Sequence, residues 1–194
     1  MIIAEQKVLE VIEPLVMKIK NKLYNEEAKA FPDFALVDDF ASLIWSENEE
    51  DKTNGNSWID HSKFIALKKA TELVSGSNLF YIAWAYRELD ENNKPKTRTV
   101  IELPFEWNMV KNYESELDYQ INQFYVFDDS LTWFLHIDDS VLLAGNKKFM
   151  KDFVNSIGGK HVANKMFDIY LDDVNSQDTR NWVDLIKTRF VSNA

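Results

Sequence analysis

Hydrophobic residues fall in two rhythms along this chain, one helical and one β-like, and the rhythm changes near residue 79. Val8, Ile12, Leu15/Val16, Ile19 and Leu23 recur at helical spacing, with Lys18, Lys20 and Lys22 off that line. Pro14 falls inside the pattern and either kinks the helix or opens a second one, because a deep proline removes a hydrogen bond. Leu36, Phe40, Leu43 and Ile44 of "FALVDDFASLIW" repeat the helical spacing and predict another helix. "SENEEDKTNGNS" then reads as an exposed acidic loop. A helix from about Asp60 to Val74 follows, with Phe64, Leu67, Thr71 and Val74 on one side and Gly76 just beyond its end.

From residue 79 the pattern becomes that of a sheet. "NLFYIAWAYREL" is apolar at nearly every position, as in a central strand covered on both faces, and "TRTVIEL" returns from a polar tip at Glu91 to Lys96. Phe105, Met109, Tyr113, Leu117 and Ile121 lie four apart and predict a helix after Pro104. "FYVFD", "TWFLHI" and "SVLLAG" are three short strands joined by Asp128-Asp129-Ser130 and Asp138-Asp139-Ser140, which predicts a meander, since Asp and Ser side chains favour turns. Asn146 should cap a helix through Phe149, Phe153 and Ile157 that ends at Gly158-Gly159. Helices near 161–172 and 178–191 close the chain, the last with Trp182, Ile186 and Phe190 inward. The expected fold is one α+β domain over residues 1–194. It has an N-terminal helical layer, a mostly antiparallel sheet of about five strands between residues 79 and 144, and C-terminal helices packed on the sheet.

Composition narrows the chemistry. The 194 residues include 13 Phe, 7 Tyr and 6 Trp, enough large side chains for a substantial core, but no cysteine. Disulfides, thiolate nucleophiles and cysteine zinc sites are thereby excluded. The acidic N-terminal stretch (Glu5, Glu10, Glu13) is unlike a signal peptide, and the longest apolar run, Leu79 to Tyr86, is far short of a membrane helix. A cytoplasmic location is expected.

Net charge is −10, and it is evenly spread: 17 acids and 12 bases in residues 1–97, 15 and 10 in residues 98–194. Such a body repels phosphate backbones and anionic membranes and is steered toward basic partners. The basic stretches Lys18–Lys22 and Lys147–Lys151 are short and lie beside acids, so neither direct nucleic-acid binding nor membrane binding is expected.

The two Asp-Asp-Ser triplets pose the sharpest chemical question. As successive turns they bracket a strand of about seven residues, roughly 20 Å at about 3.3 Å per residue, so Asp129 and Asp139 should lie more than about 15 Å apart. One metal ion or one acid/base pair needs carboxylates far closer than that. They are therefore read as turns, with His136 on the opposite strand face from Trp133, Leu135 and Ile137. His61 and His161 lack the HExxH spacing, and no G-x-S-x-G, P-loop or GxGxxG occurs. Glu102, Glu106 and Asp118 remain as an acid/base set that the fold would have to assemble. No metal, cofactor or catalytic residue is assigned.

The run "FYVFDDSLTWFLHIDDSVLLAGNKKFMKDF" resembles bacterial immunity proteins of polymorphic and contact-dependent toxin systems. These have an aspartate-tipped strand pair with a central Trp, an acidic turn, an apolar strand ending in Gly, and a helix of this kind. The likeness covers about residues 124 to 154. It implies a non-enzymatic cytoplasmic protein that binds and blocks one cognate toxin domain, and a basic nuclease domain would suit the acidic charge. Expected contacts are Asp128 and Asp129 with Tyr125, then Asp138 and Asp139, with the acidic loop Glu47, Glu49, Glu50 and Asp51 as a second region. Two other readings stay open: a hydrolase or transferase with a carboxylate site, and a DNA mimic that inhibits a nuclease.

Overall fold

The computed structural model describes residues 5–23, 40–46, 59–85, 89–94, 96, 99–113, 123–138 and 140–193. The chain begins with α1 (Glu5–Lys7), a π-helical turn (Val8–Ile12) and α2 (Glu13–Leu23) in immediate succession. The widened turn has a cause in the sequence. Pro14 has no N–H for the carbonyl of Glu10, and the N–H of Glu13 donates to the carbonyl of Val8, one residue further back than in an α-helix. Pro14 thus lies in the first turn of α2, where a missing N–H is tolerated, and the three elements follow one another without a gap. The residues expected inward, Val8, Ile12, Val16 and Ile19, are all buried.

Next come β1 (Phe40–Trp45), α3 (His61–Val74), β2 (Leu79–Trp84), β3 (Val100–Pro104) and α4 (Trp107–Tyr113). They are followed by β4 (Phe124–Phe127), β5 (Trp133–Ile137), β6 (Val141–Asn146), α5 (Lys147–Ser156), α6 (Lys160–Asp173) and α7 (Gln177–Asn193). Among the described residues the strands form one six-stranded sheet in the order β1-β6-β5-β4-β2-β3, with every neighbouring pair antiparallel. This is the expected α+β fold, with one strand added.

The added strand is β1, where the spacing predicts a helix. Ala41 through Trp45 are all buried, so both faces of this run are covered and its apolar positions carry no clean period. β1 pairs with β6 from Phe40↔Asn146 to Trp45↔Val141, and α6 and α7 pack against it. The helix expected between Phe105 and Ile121 is present from Trp107 to Tyr113, so it starts two residues later than expected, and residues 114–121 lie outside the described residues.

One sheet face carries Phe80, Ile82, Val126, Trp133, Leu135 and Leu143, which the strand register places side by side. A chain of rings joins this face to α3 and α5. Phe64 meets Phe80 edge-on at 6.3 Å, Phe105 lies 6.0 Å from Trp133, and Phe149 stacks 5.9 Å from Trp133. The opposite face carries Tyr81, Tyr125, Phe127 and Phe134, also buried.

Capping fixes where the covering helices start. Asp60 is the N-cap of α3, its Oδ1 accepting the N–H of Lys63, and Asn146 caps α5 by accepting the N–H of Phe149 at 2.8 Å. Gly158 and Gly159, with φ of 112° and 88°, end that second helix as expected. Replacing Asn146 with alanine should lower the unfolding free energy by about 1 kcal/mol, whereas Asn146→Asp should hold most of it. Urea denaturation of the two variants checks this, and equal losses would mean that the cap contributes nothing.

Candidate functional site

The β4–β5 turn is built around Asp128. The N–H of Leu131 donates to the carbonyl of Asp128 at 3.2 Å, and Leu131 takes a left-handed conformation at φ 50°. The Asp128 side chain folds inward. Its Oδ1 accepts the N–H of Thr132 at 2.7 Å and that of Trp133 at 3.4 Å, an Asx-type closure of the turn. The hydroxyls of Thr132 and Ser75 approach the carboxylate, but Oδ2 is buried with no partner within hydrogen-bonding distance. Burial outweighs these favourable contacts and pushes the carboxyl above the ordinary carboxylate range.

The β5–β6 turn has a different construction. The N–H of Asp138 donates to the carbonyl of Ser140 at 2.9 Å, while the exposed Asp138 carboxylate accepts from Nε2 of Gln123 at 2.9 Å. Asp129 is exposed in the first turn, with the hydroxyl of Ser130 donating to it at 3.1 Å. Phe127 pairs with Phe134 at one end of β5, and Ile137 pairs with Val141 at the other. The two turns therefore leave opposite ends of β5 and do not converge. No group of three or more His, Asp or Glu suited to a metal ion occurs among the described residues.

Two of the expected contact residues require correction. Asp128 is fully buried and Tyr125 is 1% exposed, so neither can meet a partner directly. The carboxylate of Asp128 is consumed by its own turn, and Tyr125 sits on a covered sheet face with its ring 5.3 Å from that of His136. Asp129 and Asp138 are exposed as a contact role requires. Asp139, Glu47, Glu49, Glu50 and Asp51 lie outside the described residues, and so does the expected Asp129–Asp139 separation.

His136 lies on the face opposite Trp133, as its position in the strand predicts. Burial holds its imidazole below the ordinary histidine range, partly offset by the negative charge of Asp138. The neutral ring is thus favoured on a sheet face that offers it aromatic neighbours.

One ionisable cluster among the described residues could not be read from the sequence. Tyr81 and Glu102 are cross-strand partners on β2 and β3, and the ammonium of Lys7 on α1 donates to Glu102 Oε2. The same ammonium sits 5.6 Å from the centroid of the Tyr81 ring. Lys7 is raised chiefly by its hydrogen bond to Glu102, and Glu102 is lowered chiefly by Lys7. Tyr81 is raised by burial first and by Glu102 second. These shifts favour a stable ion pair beside a neutral phenol, the opposite of an activated nucleophile. The cluster fastens the N-terminal helix to the sheet. It also occupies Glu102, which therefore does not join Glu106 as an acid/base set; Glu106 is exposed beyond β3, and Asp118 lies outside the described residues.

Compared with known proteins, the chain matches no protein-family model, no curated protein and no solved structure. No helix among the described residues is long and apolar enough to cross a membrane.

Proposed function

We propose that this chain is an immunity protein, a cytoplasmic binding protein that neutralises one cognate bacterial toxin domain by covering it. The observation that supports this reading is the way the stretch resembling such proteins is put together. β4, β5, β6 and α5 follow one another with short turns in the middle of the sheet, and the unit leaves Asp129 and Asp138 exposed at its two ends. A rigid element that presents carboxylates from an acidic body suits a basic protein partner. A basic nuclease domain is the partner class that this charge would steer fastest, and neither nucleic acid nor a membrane is the intended ligand.

Co-expression with the product of the neighbouring gene, followed by affinity capture, tests the reading. The expected result is a one-to-one complex with the C-terminal domain of a large exported protein, accompanied by loss of that domain's toxicity. Recovery of the chain alone, beside abundant soluble neighbour and with toxicity intact, would sink the proposal. Within a complex, Asp129→Lys should slow association by about tenfold at low salt, with the difference shrinking at high salt. Stopped-flow or surface-based kinetics at two ionic strengths reads this directly. A rate independent of the substitution would move the contact away from the β4–β5 turn.

A further inference from the structure

Asp128 stands where three elements meet at one end of the sheet. Its own turn joins β4 to β5, and the N–H of Asn146, at the start of α5, donates to the carbonyl of Thr132 at 3.0 Å. Ser75, the C-cap of α3, brings its hydroxyl toward the Asp128 carboxyl. The two carboxyl oxygens are used differently. Oδ1 accepts the N–H of Thr132 at 2.7 Å, whereas Oδ2 is buried with no hydrogen-bond partner among the described residues. The hydroxyl of Ser75 is already committed. It donates to the carbonyl of Thr71 at 3.2 Å and accepts the N–H of Ser77 at 3.3 Å. A hydroxyl has one hydrogen and two lone pairs, so what Ser75 still offers is a lone pair.

An ionised Oδ2 is acceptor-only as well, and it then faces the Ser75 oxygen with no hydrogen to share between them. A protonated Oδ2 supplies that hydrogen and completes the contact. From this arrangement we propose that the Asp128 proton is a latch, which fastens the β4–β5 turn to the C-cap of α3 and frees the turn when it leaves. Asp129 rides on the same turn, so the latch sets the position of its exposed carboxylate. The strongest influences on Asp128 are not charges. They are burial, then the Thr132 hydroxyl, the N–H groups of Trp133 and Thr132, and the Ser75 hydroxyl. The charged groups on the elements that meet here, Glu72 on α3, Asp129 in the turn and Lys147 and Lys148 on α5, are all exposed. Lys7 and Glu102, on α1 and β3, are paired with each other. In an open turn the carboxyl meets water and returns to its ordinary 3.8, so the closed turn binds the proton more tightly. Opening therefore becomes about tenfold easier per unit of pH above 3.8 and levels off at the raised value of the closed turn.

NMR of the isotopically labelled chain tests this with no other protein present, so the outcome is independent of the toxin-binding reading. The Asp128 carboxyl carbon follows the titration, and hydrogen exchange of the Thr132 amide follows the opening. Protection of Thr132 should fall by about tenfold per unit of pH through the carboxyl titration. Its exchange should also ignore low concentrations of urea, as local opening does, while Leu135 in the middle of β5 responds as global unfolding does. Asp128→Asn, whose amide can donate to Ser75, should keep Thr132 protected across the whole range. Asp129→Asn and Glu72→Gln should leave the transition in place. Ser75→Ala decides the direction of the hydrogen bond. Loss of an acceptor for the Oδ2 hydrogen should move the carboxyl midpoint down; a midpoint that moves up shows Ser75 donating and overturns the proposal. So does a Thr132 amide that exchanges only by global unfolding, or an equal fall in protection in Asp128→Asn.

Discussion

Gly145→Ala should destabilise the protein by about 2–3 kcal/mol, an unusual cost for one methyl group. A Cβ at Gly145 would lie 2.5 Å from Cδ1 of Phe149 and 3.3 Å from Cβ of Trp133. Neither neighbour has room to retreat. Trp133 and Phe149 are both fully buried and stacked, and Phe149 is backed in turn by Phe153 at 6.2 Å. The glycine is needed here for close approach; its backbone is ordinary strand. The cost should be coupled to the ring it displaces. Phe149→Leu alone opens space and costs on the order of 1–3 kcal/mol, but the double variant should be more stable than the sum of the single losses predicts. Urea denaturation of all four proteins completes the cycle. Strict additivity would show that the clash is relieved elsewhere.

Asp128 gives the second large effect, and its two substitutions should diverge. Asp128→Ala removes the acceptor for the N–H groups of Thr132 and Trp133 inside the fold, and should cost about 2–3 kcal/mol. Asp128→Asn keeps an oxygen at the Oδ1 position, removes a buried charge and lets an amide face the Thr132 and Ser75 hydroxyls. It should match or exceed the original chain in stability at pH 7. The pH dependence follows from the direction of the shift. The carboxyl is raised in the folded protein above its ordinary 3.8, so the folded state binds this proton more tightly than the unfolded state does. Its favourable contribution is complete below about pH 3.8 and is lost as pH rises through the raised folded value. The stability of Asp128→Asn relative to the original chain should therefore climb across that interval and then level off. Denaturation midpoints for both proteins from pH 3.5 to 8 measure it. A constant difference would mean that Asp128 titrates normally.

The meander and its two following landmarks, the Asn146 cap and the Gly158-Gly159 stop, were legible because each rests on local chemistry: turn-forming side chains, a capping amide, and glycines free to take positive φ. The run at 40–45 was misread for the complementary reason. A strand covered on both faces shows no alternation, and Phe40, Leu43 and Ile44 happen to stand at helical spacing. Side-chain direction within a turn was also beyond reach. Asp128 and Asp129 are identical neighbours in the sequence, yet one is fully buried and the other exposed. The partnership of Lys7 with Glu102 spans 95 residues, and no local pattern announces such a pair.

The place of β1 in the sheet sets an order of assembly. β4, β5 and β6 are joined by short turns and β2 returns to β3 within a modest loop, so these pairings can form early and locally. Among the described residues β1 pairs only with β6, from Phe40↔Asn146 to Trp45↔Val141, closing a loop of roughly a hundred residues at an entropic cost of about 4 kcal/mol. On the ribosome, the first strand to be synthesised is thus the last to find its partner. Until Val141–Asn146 has emerged, the apolar segment Phe40–Trp45 travels as an unpaired strand, and it is the part of the nascent chain most in need of shelter from aggregation.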